Sequence, residues 1–232
     1  MTEYSVSRGL PNGMAKSNVE ASVNAPPPPS TSGLPASLAG PEWTGLPTNS
    51  RVVALTFDAG GDSAAVAQIL ATLSQQGVPG TFFLTGRWSE YNPVQATQIA
   101  ALYPVGNHTY SHPHLRTLTN AQVSEEVTRG AQAIQTATGH DVRPLFRFPY
   151  GESDGRTLGI VHGLGYGGIR WTLDTWGWKG RSAGQSIDSV VSRVLSAQRQ
   201  CLPPSRLDTA GGAASVLDGT AHIVIGQRRH LL

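Results

Sequence analysis

Between residues 51 and 200, short apolar runs alternate with amphipathic segments, and a polar residue closes almost every run. Residues 51–56 read as a buried strand. Ser63 is placed to cap the helix that follows, and Gly77 to stop it. Residues 81–85 form the next strand, and Asn92 with Pro93 opens a helix with a cap and a proline at its first position. Residues 105–109 are a third strand, after which Thr119 and Gln122 make a capping box for a helix that Gly139 ends. Residues 145–148 and 168–173 read as further strands, and Ser186 begins a last helix running to about residue 200. Strands that alternate with helices imply an α/β fold with a parallel sheet and crossover helices. A barrel and an open doubly wound sheet satisfy this pattern equally.

The flanks lack that rhythm. Residues 1–49 carry prolines at 26–29 within a Ser, Gly and Ala-rich stretch, which buries too little apolar surface to offset its ordering entropy and reads as a flexible leader. Residues 50–200 are then the folded domain. Residues 201–232 form an atypical end: Pro203, Pro204 and a Gly/Ala-rich stretch, with one more strand expected at 222–226. A net charge of +2, with basic residues scattered, argues against a nucleic-acid surface. The single cysteine, Cys201, excludes an internal disulfide and a cysteine-based zinc cluster. No apolar run approaches the roughly 18 residues of a membrane span, and no secretion-signal pattern follows Lys16. Nothing in the sequence sets an oligomeric state.

In parallel α/β folds, functional side chains gather at the C-terminal ends of strands. Asp58 stands after the first expected strand, His108 and His112 after the third, Arg147 to Gly151 after the fourth and Asp174 to Trp178 after the fifth. The histidines, in N-H-T-Y-S-H-P-H, are four apart, a spacing that lets two imidazoles face one cation. Alone, such a pair is as well explained by two loop histidines near a turn. An aspartate, two histidines, an arginine and a tryptophan at four strand ends describe a hydrolytic metal site.

Together, T-F-D-A-G (56–60), H-T-Y-S-H (108–112), R-F-P-Y-G (147–151) and D-T-W-G-W (174–178) resemble the motifs of carbohydrate esterase family 4, the polysaccharide deacetylases, over roughly residues 51–200. The resemblance implies a distorted, partly open (β/α) barrel and the hydrolysis of N-acetyl groups on amino-sugar polymers such as peptidoglycan or chitin-like chains. By the same likeness Asp58 is the general base and Arg147 the residue that orients it. His108 and His112 are ligands of a divalent metal, zinc being usual. The Tyr150 backbone N–H is an oxyanion donor, Trp178 is the wall that receives the acetyl methyl group, and Asp174 is the remaining carboxylate of its motif. The implied partner is a polysaccharide or oligosaccharide, and the implied location is extracellular or at the cell envelope.

Three positions depart from the pattern. Ala59 stands where the resemblance places the third metal ligand, and Asp62, on the same loop, is the nearest replacement. Its alternative role is to cap the following helix. Gly177 replaces an aspartate before Trp178. No L-x-H follows residue 200: aligning residues 223–227 with that motif puts Gln227 where a catalytic acid histidine belongs, with His222 and His230 out of register. These losses leave two rivals to an active deacetylase, a catalytically impaired glycan-binding relative and an O-acetyl esterase acting on xylan-type polymers.

Overall fold

The computed structural model describes residues 34–46, 52–201 and 221–225; of residues 181, 197–201 and 221–225 only the backbone is considered. The sequence readings at residues 1–33, Arg51, Gln227 and His230 fall outside the described residues.

Seven strands form one sheet in the order β5-β4-β3-β2-β1-β7-β6. The first is β1 (Val53–Ala59), whose central residues are fully buried because strands covered on both faces cannot alternate apolar with polar residues. Its parallel neighbours on one side are β2 (Gly80–Leu84), β3 (Val105–Asn107), β4 (Leu145–Phe146) and β5 (Gly167–Gly168). On the other side lies β7 (Ala221–Ile225), antiparallel both to β1 and to β6 (Leu173–Asp174). That strand corrects the wholly parallel expectation, and it also starts one residue earlier than read. His222 is in register with Thr56 on β1 and with Asp174 on β6.

The segment expected as one strand at 168–173 is instead split between β5 and β6, which sit at opposite edges of the sheet. Laid flat, six strand spacings would separate those edges by about 29 Å. The five residue steps from Gly168 to Leu173 span at most about 18 Å. The sheet must therefore curl, and this segment ties its edges together as a distorted, partly open barrel.

Helices wrap the outside: α1 (Val66–Gln75), α2 (Gly86–Tyr91), α3 (Pro93–Leu102), α4 (Asn120–Thr138), α5 (Gly155–Gly163) and α6 (Ile187–Cys201). The core between helices and sheet holds Phe57 stacked on Phe82 at 4.8 Å, with Ile69, Leu73, Ile99, Val123, Val127 and Ile134 around them. The capping box at Thr119 and Gln122 forms as read, and Gly139 ends α4 in a left-handed conformation. Two caps do not form. Helix α1 begins after Ala65 without a side-chain cap, and Ser63 contributes only its carbonyl, which accepts from the Val66 N–H. Asn92 precedes α3, but its amide donates back to the Trp88 carbonyl because α2 ends there.

Residues 34–46 fall inside the stretch read as a leader, yet they pack on the barrel. Leu38 is buried, Trp43 bridges Ile169 in parallel, and the Thr44 carbonyl accepts from the Thr172 hydroxyl. Among the described residues no helix is long and apolar enough to cross a membrane.

Candidate active site

Side chains on a strand alternate, so Thr56 and Asp58 share one face of β1, and both turn toward Arg147. Arg147 follows β4 and is fully buried, a position an arginine occupies only when its charge is paired and hydrogen-bonded. Its Nη1 donates to Asp58 Oδ1 at 2.6 Å and its Nη2 to Thr56 Oγ1 at 2.9 Å. Nε donates to the Ile169 carbonyl and Nη2 also to that of Arg170, both in the segment that joins the sheet edges. The guanidinium lies over the Phe83 ring, 4.1 Å from its centroid. Asp58 is thereby held by a charge-assisted bond from within the barrel.

His108 stands just beyond β3, also buried. Its Nδ1 is 2.8 Å from the Arg147 carbonyl, and because a carbonyl only accepts, Nδ1 carries the proton. Nε2 then turns its lone pair toward Asp58 Oδ2, 3.7 Å away. Burial lowers the His108 pKa to about 4, against an opposing pull from Asp58. Burial likewise lowers that of His112, again with Asp58 opposing. The two imidazoles meet edge to face with centroids 4.8 Å apart.

This pair is not helical, as i, i+4 spacing alone would allow. The loop between β3 and α4 brings the rings together through left-handed backbone at Thr109 (φ 69°) and His112 (φ 61°). Tyr150 (φ 59°) and Trp176 (φ 62°) adopt the same disfavoured region. Two of these four, His112 and Tyr150, line one cavity, and the other two lie on the loops that supply its lining, strain of the kind that active sites retain.

The cavity measures about 520 Å³ and is lined by Asp58, Gly60, Gly61, His108, His112, Tyr150, Trp171, Asp174 and Trp178. Tyr150 stands half exposed at the rim, stacked on His114 at 4.0 Å and donating from its hydroxyl to the His112 carbonyl. Trp178, also in the lining, is 57 % exposed and its Nε1 donates to Asp174 Oδ2.

Six of the expected residues therefore come together at the cavity, with Arg147 behind them. Asp62 does not. Its Oδ1 accepts from the Ala64 N–H at 3.0 Å, an aspartate turn at the start of α1, and it is absent from the cavity wall. The same short carboxylate cannot bond that N–H and reach across the strand ends, so the ligand expectation for Asp62 gives way to the turn. Trp171 and Thr56 lie at the site without having been given a role: Trp171 belongs to no motif, and Thr56 opens the T-F-D-A-G run. His114 supports Tyr150 by stacking on its ring.

The residues fit a divalent cation in part. Two neutral imidazoles converge, and Nε2 of His108 faces a carboxylate oxygen as acceptor to acceptor, a contact that a cation between them would relieve. Among the described residues, however, no three His, Cys, Asp or Glu side chains gather as a complete metal cage.

Residues 45–169 match the protein family described as Polysaccharide deacetylase. The chain is 34% identical over 150 residues to a peptidoglycan-N-acetylglucosamine deacetylase of Bacillus cereus, covering 64% of this chain and 53% of that protein. It is 32% identical over 153 residues to a chitooligosaccharide deacetylase of Bradyrhizobium sp., covering 66% and 68%. The chain thus spans about half the length of the first relative. Among solved structures it resembles a family 4 carbohydrate esterase pseudoenzyme from Bacillus anthracis at 27% identity and a TM-score of 0.64, over 78% of this chain and 62% of that one. A mutant of that pseudoenzyme is described as having restored enzymatic activity.

Proposed function

The chain belongs to the polysaccharide deacetylase family, and from that membership we propose that it hydrolyses N-acetyl groups on amino-sugar polymers of the peptidoglycan or chitin class. The observation that carries the reading is the Asp58 carboxylate, 2.6 Å from a buried Arg147 donor and 3.7 Å from His108 at the floor of the cavity. Arg147 holds that carboxylate ionised, so Asp58 can take a proton from the attacking water. His108 and His112 are the residues that would hold a divalent cation, zinc by the habit of such sites. What the cation supplies when bound is polarisation of the acetyl carbonyl and a more acidic water. Trp178 and Tyr150 wall the space where the acetyl group and its sugar would lie, Tyr150 with its backbone N–H as the oxyanion donor. Asp174 fixes the Trp178 indole through its Nε1 bond. Once protonated, Asp58 can return the proton to the departing amine. With substrates of that class, the reading has the chain act outside the cell or at the cell envelope.

A second reading, glycan binding without turnover, is favoured by one feature: Ala59 offers no ligand and nothing among the described residues completes the cage. The test is zinc titration of the chain with acetate release measured on N-acetylated chitooligosaccharide and on peptidoglycan, for the chain itself and for Ala59→Asp. The hydrolase reading expects acetate that rises with zinc and disappears with a chelator, and expects Ala59→Asp to reach full activity at roughly tenfold less zinc, in line with the weight of a single site residue. Zinc and glycan binding with no acetate from either form would establish the binding module instead.

A further inference from the structure

We propose that helix α4 is the template of the two-histidine loop, with Glu126 and Gly130 as its positioning residues. The inference rests on the reading of His108 and His112 as metal ligands.

The loop from Asn107 to His112 carries two left-handed residues and therefore needs outside restraint to keep one shape. Glu126 supplies it. Its Oε2 accepts from the backbone N–H groups of Tyr110 at 3.1 Å and Ser111 at 2.8 Å, while Oε1 accepts from the Ser111 hydroxyl at 2.7 Å. One carboxylate thus fixes the two residues immediately before His112. The hydroxyl of Thr109 accepts from the His112 N–H, which passes that restraint to the ligand itself.

Gly130 lies one helical turn further along the same face of α4. A Cβ built there would meet the Thr109 carbonyl carbon at 2.6 Å and its oxygen at 2.7 Å, with Asn107 Oδ1 at 2.8 Å. Those are backbone atoms and a buried amide, and they cannot step aside cheaply. Asn107 completes the clamp, donating to the Val127 carbonyl and accepting from the Thr109 N–H. A glycine in the middle of a helix lowers its helical propensity; here the close approach of the loop accounts for it. Arg129, the residue before Gly130 on α4, covers the Tyr110 ring at 3.7 Å.

Neither residue touches the cavity, so each acts through the loop. Outer partners of metal ligands commonly change metal affinity by about 10–100-fold when removed. The test compares Glu126→Ala, Glu126→Gln and Gly130→Ala. Glutamine can still accept both N–H groups through its single oxygen and donate to the Ser111 hydroxyl, so it preserves the shape without the charge. Three readouts apply: zinc affinity by competition with a chelating dye, the absorption bands of the cobalt-loaded protein, and the imidazole NMR signals of His108 and His112 without metal. Glu126→Ala and Gly130→Ala should weaken zinc at least about tenfold, alter the cobalt bands and shift both imidazoles, whereas Glu126→Gln should restore all three. Should Glu126→Ala fail to fold, Gly130→Ala and the glutamine variant decide. Unmoved imidazole signals in Gly130→Ala would overturn the template whatever the metal does. Absence of zinc uptake by the unaltered chain, with those signals moving, would overturn the metal reading and leave the template standing.

Discussion

The two walls of the cavity are built in opposite ways. On the wall of Asp58 and His108, the bonds made by Arg147 join residues far apart in sequence: it lies 89 positions from Asp58, 91 from Thr56 and 39 from His108. On the rim that carries Trp178, the side-chain bonds of Asp174 are local. The Trp176 N–H donates to the Asp174 carboxylate two residues back, and the Trp178 indole does so from four residues on. The first wall is buried and the second is open, with Trp178 more than half exposed. A charge in the interior needs partners that only the whole fold can assemble. A solvated aromatic rim needs only a turn. Substitutions on the first wall should therefore damage fold and chemistry together, and those on the rim should alter substrate handling alone.

The largest stability effect should come from Arg147→Met. It leaves the Asp58 carboxylate buried without the guanidinium, and breaking a buried pair in this way costs about 3–5 kcal/mol. Urea unfolding should show it as a lower midpoint at unchanged slope; a loss below about 1 kcal/mol would place the pair on the surface energetically and erase the contrast. Trp178→Ala is the matching change on the rim. Its stability should stay within about 0.5 kcal/mol of the parent, while kcat/KM for the N-acetylated oligosaccharide falls about tenfold, the scale of one lost apolar contact. Steady-state kinetics beside a melting curve separates the two, and a large drop in Tm would mean that the rim carries structural load. Asp62→Ala should have the smallest effect. It removes one turn hydrogen bond, worth at most about 1 kcal/mol, and should leave zinc affinity as it was. Loss of zinc on that substitution would return Asp62 to the metal.

The same contrast explains what the sequence disclosed. The locally encoded features read correctly: the capping box at Thr119 and Gln122 and the left-handed stop at Gly139. Strand ends were less legible, because β1 runs on through Asp58 and β3 stops before His108. Local pattern could not tell a barrel from an open sheet, because curling depends on which strands lie at the edges. The tie between β5 and β6 is a long-range fact carried by two short strands with weak signals of their own. Helix α2 escaped notice at six residues, too short for a period to show. The antiparallel β7 and the packing of Trp43 on Ile169 depend on partners distant in the chain. At the site, motifs flagged residues that carry chemistry, and they passed over Glu126 and Gly130, whose role exists only once α4 lies against the loop.

The central claim is that Asp58, held by Arg147, is the base of an acetyl hydrolase. Acetate released from N-acetylated chitooligosaccharide or peptidoglycan at saturating zinc, by the chain and by Asp58→Asn, tests it most directly. The account predicts steady release by the chain and none above background by Asp58→Asn, at a temperature where unfolding curves show both proteins folded and both take up zinc, since Asp58→Asn also removes the counter-charge of the buried Arg147. Equal release by both proteins would contradict it.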